Sequence, residues 1–162
     1  MPSTRSATLN TQFTCRGSKE YVKLVHGLLD NKIDSTNKFQ SLEYECYLFE
    51  DLQQMVDEIN KREKLDGLSR MVAGYAWEWV SNKDKSAFDI VIEDTKLRWN
   101  SVAIDWVNSP KSVDEVGCIH TTQGYDLNYT GVIIGPELDY DFEAKQLVID
   151  KSKYKDKAGI IY

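Results

Sequence analysis

The sequence predicts an α/β fold with a mostly parallel sheet and an antiparallel insertion. Three observations predict it. Short apolar runs alternate with segments of helical period over residues 7–75, the pattern of parallel strands joined by crossover helices. Two-residue alternation over 88–99 interrupts that pattern. Two further apolar runs, around Val116 to Ile119 and Val132-Ile133-Ile134, flank a polar, glycine-containing turn.

Taken in order, Ala7 to Phe13 is expected to be the first strand. Ser18 is a candidate N-cap, with Glu20 in the first turn, where the helix dipole favours an acid. Tyr21, Leu24, Val25, Leu28 and Leu29 recur at helical spacing, so 18–30 reads as an amphipathic helix. Asp30 to Asn37 is a polar turn region, and Tyr44 to Phe49 reads as a strand. Glu50-Asp51 opens a second helix with Leu52, Met55, Val56 and Ile59 on one face. Lys61, Arg62 and Lys64 lie near its C-terminal end, and Gly67 follows. Arg70 to Tyr75 is a short buried strand. Ser81 to Ser86 is a solvated loop. Phe88, Ile90 and Ile92 alternate, as do Leu97 and Trp99, so 80–110 reads as an insertion or antiparallel ribbon beside the main sheet. The last β-unit, 115–135, reads as strand, polar turn, strand. Gln146 to Ile149 is expected as an edge strand, and Lys151 to Lys157 as a mobile, lysine-rich end.

At 162 residues one domain is expected, and such a chain buries roughly 68–70% of its unfolded surface. A hydrophobic fraction of 41% and a charged fraction of 28% suit a soluble globular protein. No window approaches the length of a membrane span. The opening Met-Pro-Ser-Thr-Arg-Ser lacks the apolar core of a secretory signal, so a cytoplasmic location is expected. Cys15, Cys46 and Cys118 are odd in number and far apart, with only His26 and His120 to join them. Structural zinc is not expected, and buried free thiols are. Twenty basic against 26 acidic side chains give a net charge of −6. That balance argues against strong autonomous nucleic-acid binding, where lysine and arginine neutralise phosphate.

The chemistry concentrates in Thr121-Thr122-Gln123-Gly124-Tyr125-Asp126. Two hydroxyls and an amide stand beside a residue without a side chain, at the end of a buried strand. Hydroxyls and backbone N–H groups donate to phosphate, and a missing Cβ lets an anion approach. This stretch resembles the fifth motif of superfamily-one helicases, Thr-x-Gln-Gly-x-Glu before a strand of the second RecA-like domain. With Met71-Val72-Ala73-Gly74-Tyr75-Ala76-Trp77-Glu78-Trp79 upstream, the chain is similar to a narrower group, uncharacterised bacterial ATPases with a Schlafen-like DNA/RNA helicase domain. The resemblance extends over roughly Leu9 to Ile161. It implies a three-layer, RecA-like sheet of the P-loop NTPase superfamily. It also implies a single, truncated C-terminal motor domain over 1–162, acting with an N-terminal motor domain that bears the phosphate loop. ATP and Mg²⁺ would serve the intact protein, with no cofactor expected for the isolated chain. DNA or RNA would bind weakly to this chain alone, and no membrane is implied.

Carried over residue by residue, the resemblance turns Thr121, Thr122 and Gln123 toward nucleic acid. It turns Gly124 and Asp126 toward nucleotide, with Asp126 a shorter carboxylate than the usual Glu. The fourth motif would fall at Gln12-Phe13-Thr14-Cys15-Arg16. Thr14 stands where the related proteins have arginine. Arg16, two residues on, shares a strand face with that position and is the candidate nucleotide-binding substitute.

None of the nine glycines opens a Gly-x-x-x-x-Gly-Lys-Ser/Thr loop. No arginine follows Arg98 to stabilise transition-state charge, and lysine lacks the planar fork. The chain is therefore expected to be catalytically silent alone. Trp77 and Trp79 could stack a base from one strand face or serve as core. Asp89, Asp94 and Lys96 form a minimal metal-nuclease pattern, but one that is short and lacks the usual upstream proline–aspartate pair. His120 could sense phosphate or end a buried strand as a satisfied boundary residue. A non-catalytic interaction or regulatory module on the same fold is the alternative function.

Overall fold

The computed structural model describes residues 19–32, 39–42 and 44–156. The expected strand at 7–13, the Ser18 cap, Cys15 and Arg16 lie outside the described residues. The chain divides into two compact units, 1–46 and 47–162.

The first unit contains helix α1, Lys19–Leu29. Glu20 lies in its first turn and His26 in its last, as the dipole favours. Tyr21 stacks on Tyr44 with ring centroids 4.4 Å apart, and Phe39 meets Tyr44 edge-on at 6.1 Å.

The second unit is an α/β structure. Helix α2, Leu52–Asp66, begins at Asp51, whose carboxylate accepts the Gln53 N–H at 2.7 Å. It ends at Gly67, whose φ of +69° suits a residue without Cβ and whose N–H bonds the Glu63 carbonyl. Met55, Val56 and Ile59 are buried, on the face that the sequence spacing predicts.

The strands that follow are β1 (Ser69–Ala73), β2 (Ile90–Ile92), β3 (Thr95–Trp99), β4 (Glu115–Cys118) and β5 (Tyr129–Ile133). Between β4 and β5 lies a one-turn helix, α3 (Ile119–Thr122). The sheet order is β2-β3-β4-β1-β5. β1 pairs in parallel with both β4 and β5, β3 pairs in parallel with β4, and only β2–β3 is antiparallel. The register aligns Met71 with Val116 and Gly131, and Ala73 with Cys118 and Ile133. These residues therefore share one face. α2 packs on that face so closely that a Cβ on Gly131 would meet Ile59 Cγ1 at 2.9 Å. Ile90, Leu97 and Trp99 extend the same core across the hairpin.

On the other face, Trp106 lies fully buried against Gly117, in a 3₁₀ turn at Trp106–Asn108. Its indole N–H donates to Glu115 at 2.9 Å. Val132 and Ile134 of the β5 edge stay exposed. At the amino edge, the buried Arg70 donates to the Val107 carbonyl through Nε and Nη2 and pairs with Glu63 at 2.7 Å. One guanidinium thus ties α2, β1 and the 3₁₀ turn together.

Several expectations change. Residues 44–49 form no strand. No strand pairing runs through them among the described residues, and Tyr47 and Leu48 are exposed. The strand expected at 70–75 occupies Ser69–Ala73. The 88–99 ribbon is the expected antiparallel extension, and it is continuous with the main sheet because β3 pairs with β4. The polar turn after β4 begins as a helical turn, and β4 and β5 are separated by β1. Gln146–Ile149 (β7) pairs with Leu138–Asp141 (β6) as a separate antiparallel hairpin, not as an edge of the main sheet. Lys151–Lys153 is a 3₁₀ turn capped by Asp150, and the Lys155 N–H donates to the Tyr75 carbonyl at 2.6 Å. Cys118 is a buried free thiol as expected, whereas Cys46 is an exposed one.

Candidate functional site

Strands β1, β3, β4 and β5 run in one direction, so their carboxyl ends gather on one edge. That edge holds Gly74-Tyr75, Asn100, the 119–126 turn and Ile134-Gly135. Thr121 follows the last residue of β4 by three positions, and β4 is an interior strand. The turn therefore lies where open α/β sheets bind ligands.

Asn100 organises it. Its Oδ1 accepts the Cys118 N–H at 3.2 Å and the Thr121 hydroxyl at 3.2 Å, and its Nδ2 donates to the Val102 carbonyl at 2.9 Å. Thr121 is buried, and its hydroxyl also lies 3.0 Å from the Cys118 carbonyl. Thr122 is half-buried and donates to the same carbonyl at 3.2 Å. Both hydroxyls are thus turned back into the protein, where they hold the α3 turn against β4. Gly117 makes this possible from beneath: a Cβ there would meet Trp106 at 2.4 Å and Thr122 Cγ2 at 2.7 Å.

Beyond α3 the chain emerges. Gln123, Gly124 and Asp126 are exposed. Gly124 has φ +86° and open space where a Cβ would stand. Its lack of side chain serves the backbone conformation and leaves its N–H approachable. Tyr125 anchors the turn from outside, its phenol donating to Asp105 at 3.0 Å. That bond raises the Tyr125 pKa above its ordinary value. Asp105 also accepts from Asn108 Nδ2 at 2.7 Å. Asn100 and Asp105 were not among the expected site residues. Each follows a strand or precedes a turn in an unremarkable polar context, and only the fold brings them to 121–125.

Aromatic rings line the inner side of this edge. Tyr75 lies 5.4 Å from Trp99 and 6.0 Å from the His120 ring, and Trp79 lies 6.1 Å from Trp99. Trp77 and Trp79 are half-buried and pack against the core. The Tyr75 pKa is pushed well above the usual tyrosine range, by burial first and then by its hydrogen bond with Cys118. His120 is exposed, with Nε2 3.3 Å from Asp156 Oδ2.

The nuclease triad does not come together. Asp89 is buried, accepting the Ser81 N–H and hydroxyl at 2.7 and 2.6 Å and the Trp99 N–H at 2.8 Å. Asp94 lies in the exposed turn at the far end of the hairpin, and Lys96 points outward opposite Val91. Among the described residues, no cluster of three His, Cys, Asp or Glu side chains could hold a metal ion. Nor is any described helix long and apolar enough to cross a membrane.

Residues 2–160 match the family described as "Schlafen group 3, DNA/RNA helicase domain". An uncharacterized protein of Saccharomyces cerevisiae is 28% identical over 120 residues, which cover 72% of this chain and 26% of that protein. The chain thus spans about a quarter of the length of the curated relative it matches. No solved structure matches the chain.

Proposed function

Because the chain belongs to the Schlafen group 3 DNA/RNA helicase domain family, we propose that it is the second, RecA-like motor domain of a nucleic-acid-dependent ATPase. It contributes one half of a shared site for nucleotide and nucleic acid and is inactive by itself. The observation that carries this reading is positional: the 121–126 turn follows an interior parallel strand at its carboxyl end. Gln123 offers its amide to the nucleic-acid backbone. Gly124 offers an approachable N–H, and Asp126 a surface carboxylate toward nucleotide. Thr121 and Thr122 act as positioning residues, since their hydroxyls are engaged with Cys118 and Asn100. ATP and Mg²⁺ supply the phosphoryl chemistry when bound to the intact protein.

The donor set suits only half of such a site. Arg62 donates to Glu58 and Tyr129, Arg70 to Glu63 and Val107, and Arg98 to Ser86 and Ala87. All three described arginines are thus held elsewhere. The cationic half belongs to a partner motor domain bearing the phosphate loop, and a cytoplasmic setting suits that arrangement. A second reading, an interaction module on the same fold, is favoured by those inward-turned hydroxyls.

A ¹⁵N-labelled sample of the chain titrated with a single-stranded oligonucleotide separates the two. Shifts concentrated on Gln123 to Asp126, and reduced in Gln123→Ala, are expected. Shifts concentrated at the amino edge around Glu63 and Arg70, or none at millimolar oligonucleotide, would favour the interaction module.

A further inference from the structure

Glu137 carries a carboxylate for which the chain provides no donor. It lies in the turn after β5, Gly135-Pro136-Glu137-Leu138, which the Leu138 N–H closes onto the Gly135 carbonyl at 3.2 Å. The Asp150 N–H bonds its backbone carbonyl at 2.9 Å. The side chain turns back over the carboxyl ends of β1 and β5, where two glycines make room for it. A Cβ on Gly74 would meet Oε1 at 2.9 Å, and one on Gly135 would collide with Oε2. Oε2 is buried and accepts no hydrogen bond. A carboxylate oxygen removed from water without a donor is costly, so its partner is to be sought outside the chain. Trp77 stands beside it. The Ala76 N–H bonds the Gly74 carbonyl at 2.9 Å, a three-residue turn that brings Trp77 over the end of β5. Its Cη2 would lie 2.9 Å from the same Cβ on Gly135. Tyr75, Trp79 and Trp99 meet one another. Trp77, among the described residues, has neither a ring partner nor an acceptor for its indole N–H. Gly74, Trp77 and Glu137 are half-buried, so this corner of the edge is open to solvent.

The unmet groups define the ligand: an acceptor, a donor and a flat apolar ring. A metal ion needs more ligands than one carboxylate, and no described cluster supplies them. An arginine stacks and donates but accepts nothing, which leaves the indole N–H unmet. Thymine and uracil offer one N–H between two carbonyl oxygens, and a carboxylate repels those oxygens. Guanine sets N1–H beside its 2-amino group, two donors that match one carboxylate, and its sugar and phosphate bring acceptors. Every base has a face that stacks on an aromatic ring. We propose that Trp77 and Glu137 form a guanine-binding subsite at the carboxyl edge of the sheet. Trp77 stacks the base, Glu137 accepts from N1–H and the 2-amino group, and the indole N–H donates to a sugar or phosphate oxygen of the same nucleotide. Entry of the base rotates the Trp77 ring, which no stacking partner holds, and uncovers Oε2. The guanine belongs to a strand or to a free nucleotide. The proposal rests on the reading that nucleotide or nucleic acid lies along this edge.

The test follows the four tryptophan indole N–H signals of the ¹⁵N-labelled chain, with that of Trp77 identified by its loss in Trp77→Phe. The titrants are guanosine and uridine monophosphates, methylguanidinium, and three nonamers: oligothymidine and the same strand with a central guanine or inosine. The guanine strand is expected to bind about tenfold more tightly than oligothymidine, with the Trp77 signal shifting most. The inosine strand, which lacks the 2-amino group, should fall between them. Glu137→Gln keeps the shape of the side chain, and its thermal unfolding is checked first. It should lose the guanine preference and keep the shifts at Gln123–Asp126. Equal affinity of wild type for all three strands and for both mononucleotides would overturn the proposal, as would a preference that survives in Glu137→Gln. A Trp77 shift as strong with methylguanidinium as with guanosine monophosphate would make a basic side chain the occupant and overturn it equally. A preference shown by the mononucleotides and not by the strands upholds the subsite and assigns it to a free nucleotide. The two readings fail separately. Shifts at the 121–126 turn without any base preference leave the motor-domain reading standing and sink this one. A guanine preference at Trp77 without shifts at the turn does the reverse.

Discussion

Asp89 is a carboxylate whose type is legible in the sequence and whose role is not. Beside Asp94 and Lys96 it suggests a metal site. In the fold it gathers the N–H and hydroxyl of Ser81 and the N–H of Trp99, closing the loop before β2 onto the end of β3. Residues 81 and 99 lie eight and ten positions away on opposite sides, a convergence no local pattern encodes. Asp89→Ala leaves three buried donors without their acceptor and is expected to cost about 3 kcal/mol in urea unfolding. Asp89→Asn, which keeps one acceptor, should cost less. Tyr75 gives a second expectation at this scale. Burial raises its phenol above the ordinary value of 10.0, so the folded chain holds a proton that the unfolded chain releases near that value. This contribution is present below about pH 10 and is lost as pH rises further. Tyr75→Phe should therefore flatten the alkaline limb of a stability–pH profile and leave its neutral region nearly unchanged.

At the scale of elements, legibility followed length and locality. α2 could be read end to end because fifteen residues repeat an apolar face and both caps are local. α3 could not, because four residues are too few for a period, and what holds them is Asn100, nineteen residues upstream of Ile119. The 44–49 run reads like a strand but joins no sheet among the described residues, and a strand-like sequence alone forms no ladder. β6 was hidden by its carboxylates, which read as loop until β7 is set beside it. The contact of Gly117 with Trp106 and Thr122 joins this scale to the site. Gly117→Ala should cost about 1–3 kcal/mol by overpacking and push α3 off β4. The measurement is thermal unfolding alongside the oligonucleotide titration. Loss of stability with unchanged shifts at Gln123–Asp126 would show that α3 is held independently of this contact.

At the scale of the whole molecule, the net charge of −6 sets the expected binding behaviour. With two or three phosphate contacts, the slope of log affinity against log salt for a single strand should be about −2. Tight binding that persists at high salt would indicate a dedicated nucleic-acid module instead. The α/β class and the carboxyl-edge position of the 121–126 turn were legible from alternating periods and one motif. The strand order was not, because parallel pairing joins residues that no turn connects.

That order governs how the chain must assemble. Met71 of the central strand pairs with Val116 and Gly131, partners 45 and 60 positions later in the sequence. Synthesis from the N-terminus makes α2 and β1 before their sheet partners and leaves one edge of β1 bare until β4, and the other until β5, has left the ribosome. Such distant closures put their entropy before their reward, so folding is slow and rate-limited by capture of β4 and β5. In that interval the Met71-Val72-Ala73 backbone is an open template. The chain is then most vulnerable to pairing with a neighbour, and a chaperone that shields nascent β1 would raise its yield.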